Sequence, residues 1–198
     1  EGRGGPADFA QAMRWFERAA AHGLAPAQFR LGSLYEKGLG VKKDLIEASR
    51  LYLAAADKGN AKSMHNLAVL HAEGLTGKPD FKAAVQWFHK AADRDVADSQ
   101  YNLGVLYARG IGVEQNLAES YKWFSLAAKS GDSEAVKKRD DIATRLDAPA
   151  LAAARTVVET WTPETQPAEA ITVKAPAGGW DEAPARAAPA KPRQRPKV

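Results

Sequence analysis

The sequence contains no cysteine. That excludes a disulfide framework, a thiolate zinc site and a cysteine nucleophile, and leaves the compartment open. No apolar run approaches the roughly 20 residues that a membrane-spanning helix needs. Histidine occurs four times. His65 and His71 are not spaced three or four residues apart, so one helix face cannot chelate a metal through both. There is no G-x-S-x-G, no H-E-x-x-H and no phosphate-binding loop with its lysine. Asp140 and Asp141 are adjacent and point different ways on a helix, which suits a solvated cap better than a general acid and base. No catalytic, cofactor-binding or metal site is therefore expected. The charge excess is small, with 28 basic against 24 acidic residues and a net charge of +4. It does not argue for nucleic acid.

What the sequence does contain is a repeat with a period of 36 residues. Its cleanest copy is residues 97–131, and stepping back by the period superposes side chains of one kind. Trp123 falls on Trp87, Leu51 and Trp15. Phe124 falls on Phe88, Tyr52 and Phe16. The pair Ala127-Ala128 falls on Ala91-Ala92, Ala55-Ala56 and Ala19-Ala20, and Gly131 falls on Asp95, Gly59 and Gly23. Within the copy, apolar residues recur at helical spacing. Gly110 stops the first helix, Asn116 caps the second, and Gly131 ends it. The unit is helix, turn, helix, turn. Such a pair cannot bury its apolar face alone, so consecutive pairs must stack. Gly32, Ala68 and Gly104 share one repeat position, where a small side chain lets neighbouring backbones approach.

Three segments follow from this register. Residues 1–131 form the solenoid, with its first repeat truncated: Glu1-Gly2-Arg3-Gly4 aligns with the turn Lys37-Gly38-Leu39-Gly40, and Asp8 with the cap Asp44. This predicts a fragment whose upstream helix is missing. Pro26 sits in a first helical turn, where a missing N–H costs little. Around Gly74 and Gly77 the second turn glycine is shifted by one and Pro79 precedes the cap Asp80, which predicts a different turn. Asp95 stands where glycine is usual, a position aspartate tolerates better than most. Residues 132–161 read as capping helices. The first is charge-rich, as a terminal repeat with a polar outer face should be. The second starts near Asp147 and Pro149 and places Leu151, Ala154, Val158 and Trp161 on one face. Residues 162–198 hold seven of the eleven prolines and read as a disordered, Pro/Ala-rich basic tail. Ile171-Thr172-Val173 and Gly178-Gly179-Trp180-Asp181 are its apolar islands.

The pattern A-x-x-x-L-G-x-x-Y-x-x-G-x-G-V, then D/N-x-x-x-A, then W-F-x-x-A-A-x-x-G, resembles the SLR (Sel-one-like repeat) family, relatives of the tetratricopeptide repeat. The resemblance implies an all-α, right-handed α/α superhelical solenoid of helix-turn-helix repeats and a non-enzymatic interaction scaffold or adaptor. By the same analogy the first helix of each pair lines a concave groove. The groove residues would be Phe29, His65 and Tyr101, then Ser33, Val69 and Val105, with Asn66 and Asn102 alongside and Lys37, Glu73 and Arg109 at the rim. An aromatic row beside a small or aliphatic row suits a partner peptide or amphipathic helix. The same residues also suit packing between adjacent helices, and Asn66 and Asn102 suit structural bonds.

Residues 147–161, with Ile171-Thr172-Val173-Lys174 and Gly178-Gly179-Trp180-Asp181 beyond them, are similar to the C-terminal part of the polar localisation factors of α-proteobacteria, the PodJ family. That resemblance implies a periplasmic organiser of the cell pole or envelope, within a larger membrane-anchored protein; a cytoplasmic position also fits the sequence. Three other readings accompany it: a module that binds peptidoglycan, a periplasmic regulator of a sensor kinase, and an enzyme. The last would require clustered acids or histidines in the groove, which the sequence does not show.

Overall fold

The computed structural model describes residues 9–75 and 77–174. The expected remnant turn with its cap Asp8, and the island Gly178-Gly179-Trp180-Asp181, lie outside the described residues. Those described fold into helices α1 (Phe9–Ala21), α2 (Ala25–Lys37), α3 (Leu45–Ala56), α4 (Ala61–Glu73), α5 (Phe81–Ala92), α6 (Ala97–Arg109), α7 (Leu117–Lys129), α8 (Ser133–Arg145), α9 (Ala148–Thr160) and the short α10 (Ala168–Ile171). The starts of α2, α4, α6 and α8 step evenly along the chain, as do those of α1, α3, α5 and α7. Up to α8, each helix packs mainly on its sequence neighbours; the longer-range packing is α9 on α7 and α10 on α2. The fold is an all-α solenoid of helix-turn-helix repeats.

Local chemistry sets each boundary. Asp44, Asn60, Asp80, Asn116, Asp132 and Asp147 each accept a backbone N–H from the first turn of the helix that follows, which satisfies a donor that the helix leaves unpaired. Pro26 and Pro149 occupy first turns. Gly38, Gly74 and Gly110 adopt left-handed backbone at the ends of α2, α4 and α6. Among the described residues Asp95 is the non-glycine residue with positive φ, at 62°, and its carboxylate accepts a bond from the Gln100 amide at 3.2 Å. Gly77, the shifted turn glycine, also has positive φ, but a Cβ there would meet nothing. At Gly112, in the regular turn, a Cβ would lie 2.5 Å from the backbone of Phe81 in the preceding repeat.

The aromatic side chains of the second helices hold each pair together. Tyr52 passes over Gly32 and Phe124 over Gly104; a Cβ would lie 2.8 Å from the first ring and 2.7 Å from the second. Leu67, Leu103, Trp123 and Phe124 are buried. Trp15, at the equivalent position in α1, is 54% exposed. At the other end α8 buries Ala135 and Ile142, and α9 buries Ala154 and Val158 with Leu151 and Trp161 packed against the same core. Helix α9 starts at Ala148, capped by Asp147 with Pro149 in its first turn.

The structure differs from the sequence expectation at residues 162–174, which fall in the segment predicted to be disordered. They run back along the edge of the stack formed by the inter-repeat turns. The Glu164 N–H donates to the Asp93 carbonyl at 2.7 Å, and the Glu164 carboxylate pairs with Arg94 at 2.8 Å. The Ala61 N–H donates to Gln166 at 3.1 Å, and the Asn60 amide donates to the Ala170 carbonyl at 2.6 Å. Pro167 packs on Gly59. Composition measures the little apolar area such a segment can bury. It does not register that turn edges present backbone donors and acceptors that an extended chain can satisfy.

Candidate functional site

Phe29 lies on α2, His65 on α4 and Tyr101 on α6, and all three are only partly buried. Each rests on the aromatic ring of the second helix in its own repeat. Ring centroids are 5.9 Å apart for Phe29 and Tyr52, 5.7 Å for His65 and Phe88, and 5.5 Å for Tyr101 and Phe124. His65 also reaches the next first helix, where its Nδ1 hydrogen-bonds Ser99 Oγ at 2.8 Å. Burial lowers the His65 pKa against the pull of Asp98 and Glu36. The aromatic row therefore serves the packing of adjacent helices while keeping one edge exposed.

The second row divides along the stack. In the α2–α4 region Tyr52 donates its hydroxyl to Glu36 at 2.5 Å. Burial raises the pKa of this tyrosine, and Glu36 raises it further, while Asn66 and Ser33 beside the hydroxyl act in the opposite direction. Ser33 and Asn66 thus serve a structural tyrosine. The signal was present in the sequence: position 52 is Tyr where positions 88 and 124 are Phe, and a buried phenol needs a partner. In the α6–α8 region the equivalent ring has no hydroxyl. There Val105 and Arg109 line a cleft of about 160 Å³ together with Phe124, Lys138, Asp141 and Arg145. Arg109, Lys138 and Arg145 make its rim mainly basic. Tyr101 packs against the same core as Val105. Of the predicted residues, Val105 and Arg109 line this cleft. Lys138, Asp141 and Arg145 escaped the sequence reading because α8 breaks the repeat pattern.

Among the described residues no group of three or more His, Asp or Glu could hold a metal ion. No helix among them is long and apolar enough to cross a membrane. His89 is the other histidine drawn into the core. Its Nε2 bonds the Tyr107 hydroxyl at 2.8 Å, its ring stands edge-on to Trp123 at 5.4 Å, and burial lowers its pKa.

Two solved structures share this architecture. One is a protective antigen of uropathogenic Escherichia coli displaying an SLR fold, with 26% identity and a TM-score of 0.65, covering 76% of this chain and 36% of that one. The other is a Sel1 repeat protein from Oxalobacter formigenes, with 36% identity and a TM-score of 0.63, covering 72% of this chain and 55% of that one. The chain thus spans about a third and about half of the lengths of these relatives. No curated protein matches it. The Sel1 repeat model matches residues 1–24, 25–60, 61–96 and 97–132, and the chain belongs to the Sel1 repeat family.

Proposed function

We propose that this chain is an interaction scaffold that binds a segment of a protein partner along the face of its first helices, anchored in the cleft between α6 and α8. Sel1-repeat proteins are generally protein-interaction scaffolds, which supports the class. The observation that supports the place is the cleft itself. It sets Val105 and the Phe124 ring beneath Arg109, Lys138 and Arg145, an apolar floor with a basic rim that suits an amphipathic segment bearing acidic residues. Tyr101, Asn102 and His65 extend the surface toward the N-terminal repeats, and Phe29 and Val69 complete it, with Ser33 and Asn66 beneath them holding the Tyr52 hydroxyl.

The test is capture by the immobilised chain, comparing wild type with Val105→Asp, Arg109→Glu and the remote Lys82→Glu. A partner retained by wild type and K82E but lost from both cleft variants is the expected result. A partner retained equally by all four chains, or retention only on purified peptidoglycan, overturns the proposal.

The finer setting we propose is the periplasmic side of a larger membrane-anchored protein, where the scaffold organises the cell pole. Its support is the resemblance of residues 147–161 and the following segment to the PodJ family. This chain has no cysteine, so one cysteine introduced at exposed Lys82, with any cysteine elsewhere in the larger protein replaced, reports the compartment. Labelling in intact cells by a maleimide that cannot cross the inner membrane is expected. Labelling only after lysis would contradict it.

A further inference from the structure

Residues 162–174 bind the stack in the way a peptide ligand binds a receptor. We propose that the edge formed by the inter-repeat turns is a second peptide-binding surface, distinct from the first-helix face, which the chain fills with its own segment until a partner segment of the pattern Glu-x-Gln-Pro-x-x-Ala displaces it.

Each element of that pattern has a counterpart. Glu164 meets Arg94, and its N–H meets the Asp93 carbonyl. Gln166 accepts from the backbone of Ala61, at the start of α4. Pro167 lies on Gly59, where a Cβ would come within 2.7 Å of the proline ring. Ala170 is buried, and its carbonyl accepts from Asn60. Asn60 has two tasks: its Oδ1 caps α4 by accepting from Ser63 N–H at 2.9 Å, and its amide nitrogen holds the segment. The segment therefore crosses two successive repeat boundaries, at 59–61 and at 93–96, using backbone groups and one side chain of each.

Other features favour an exchangeable ligand over a permanent part of the core. Ile171 and Val173 are each 57% exposed, so the largest apolar side chains of the segment are not its anchors. Beside the contact of α10 with α2, a cleft of about 440 Å³ lies between Ala168, Glu169 and Thr172 of the segment and Gly23, Leu24 and Lys58. A second, of about 500 Å³, lies between Val173 and the Trp15 and Phe16 side chains. A segment held by polar contacts, with little apolar area buried, opens at low free-energy cost. On release, Asn60, Ala61 and Asp93 exchange their bonds for water.

The experiment uses the full chain and a fluorescein-labelled peptide of sequence 162–174, followed by anisotropy. Ala170→Asp disables the internal segment by burying a charge at its anchor, and Glu164→Ala with Gln166→Ala does so by removing its bonds. Either variant is expected to bind the peptide at least about ten-fold more tightly than wild type, because apparent affinity scales with the fraction of open sites. Adding Asn60→Asp keeps the cap acceptor but removes the donor to Ala170, and should abolish that gain. No binding by either variant, or equal binding by wild type and variants, overturns the proposal. Circular dichroism of each variant confirms the helical fold, and the double-alanine variant keeps the test decisive if A170D unfolds.

Discussion

Leu103 and Tyr101 lie two residues apart on α6, and the account assigns them opposite duties. Leu103 is 0% exposed, inside the core that Trp123, Phe124 and Leu126 share. Leu103→Ala removes buried methyl groups and leaves a cavity that close-packed neighbours fill only in part, which costs about 2.7–5.0 kcal/mol. Tyr101 is partly exposed and meets Phe124 edge-on at 5.5 Å. Tyr101→Ala loses that ring contact, worth about 0.5–1.5 kcal/mol, and part of its burial, for a total of about 1–2 kcal/mol. Urea unfolding followed by tryptophan fluorescence separates the two. Trp123, 1% exposed, reports on this core together with the partly buried Trp87 and Trp161. With an m-value of about 2 kcal/mol per molar urea, L103A should lower the midpoint by about 1.4–2.5 M and Y101A by about 0.5–1 M. Equal losses, or a larger loss at Tyr101, would refute the assignment of Tyr101 to the first-helix face and of Leu103 to the core.

The turn glycines give a paired prediction. Gly112→Ala adds a Cβ 2.5 Å from the Phe81 backbone at a φ of 70°, and should cost at least about 2 kcal/mol. Gly77→Ala meets nothing within 4 Å, so only the left-handed strain of about 1–2 kcal/mol applies; thermal melts of the two variants compare them. The pH dependence follows from His65 and His89, whose pKa values are both lowered by burial. The unfolded chain binds their protons first, at its ordinary value of about 6.5, so stability present above that pH is lost as pH falls through the folded values. The melting temperature should therefore fall between pH 7 and pH 5.5, and the double variant His65→Gln, His89→Gln should flatten that part of the curve. A curve of unchanged slope would assign the pH dependence to other groups.

The stack was legible in the sequence because repetition amplifies weak local signals. Gly110 alone is an ambiguous helix stop; Gly38, Gly74 and Gly110 in register are not. The caps Asp44, Asn60, Asp80 and Asn116 were legible for the same reason. Two things were less so. The docked segment 162–174 is held by backbone groups of turns, and neither periodicity nor apolar content encodes those contacts. The outer face was legible as a row of positions but not as a surface. Whether His65 reaches Ser99, or Tyr52 engages Glu36 beside Ser33 and Asn66, depends on how one repeat rotates onto the next. The same limit hid the contribution of α8, since Lys138, Asp141 and Arg145 reach the cleft by tertiary packing alone.

A partner segment on the first-helix face is open to direct detection. The most direct measurement is photo-crosslinking in cells, from a reactive amino acid placed at Val105 and, as a control, at Gln86 on the exposed side of α5. The account predicts a discrete protein adduct from Val105 that is absent from Gln86 and is lost when Arg109→Glu is added. An adduct from Gln86 alone, or none from either site, would contradict it.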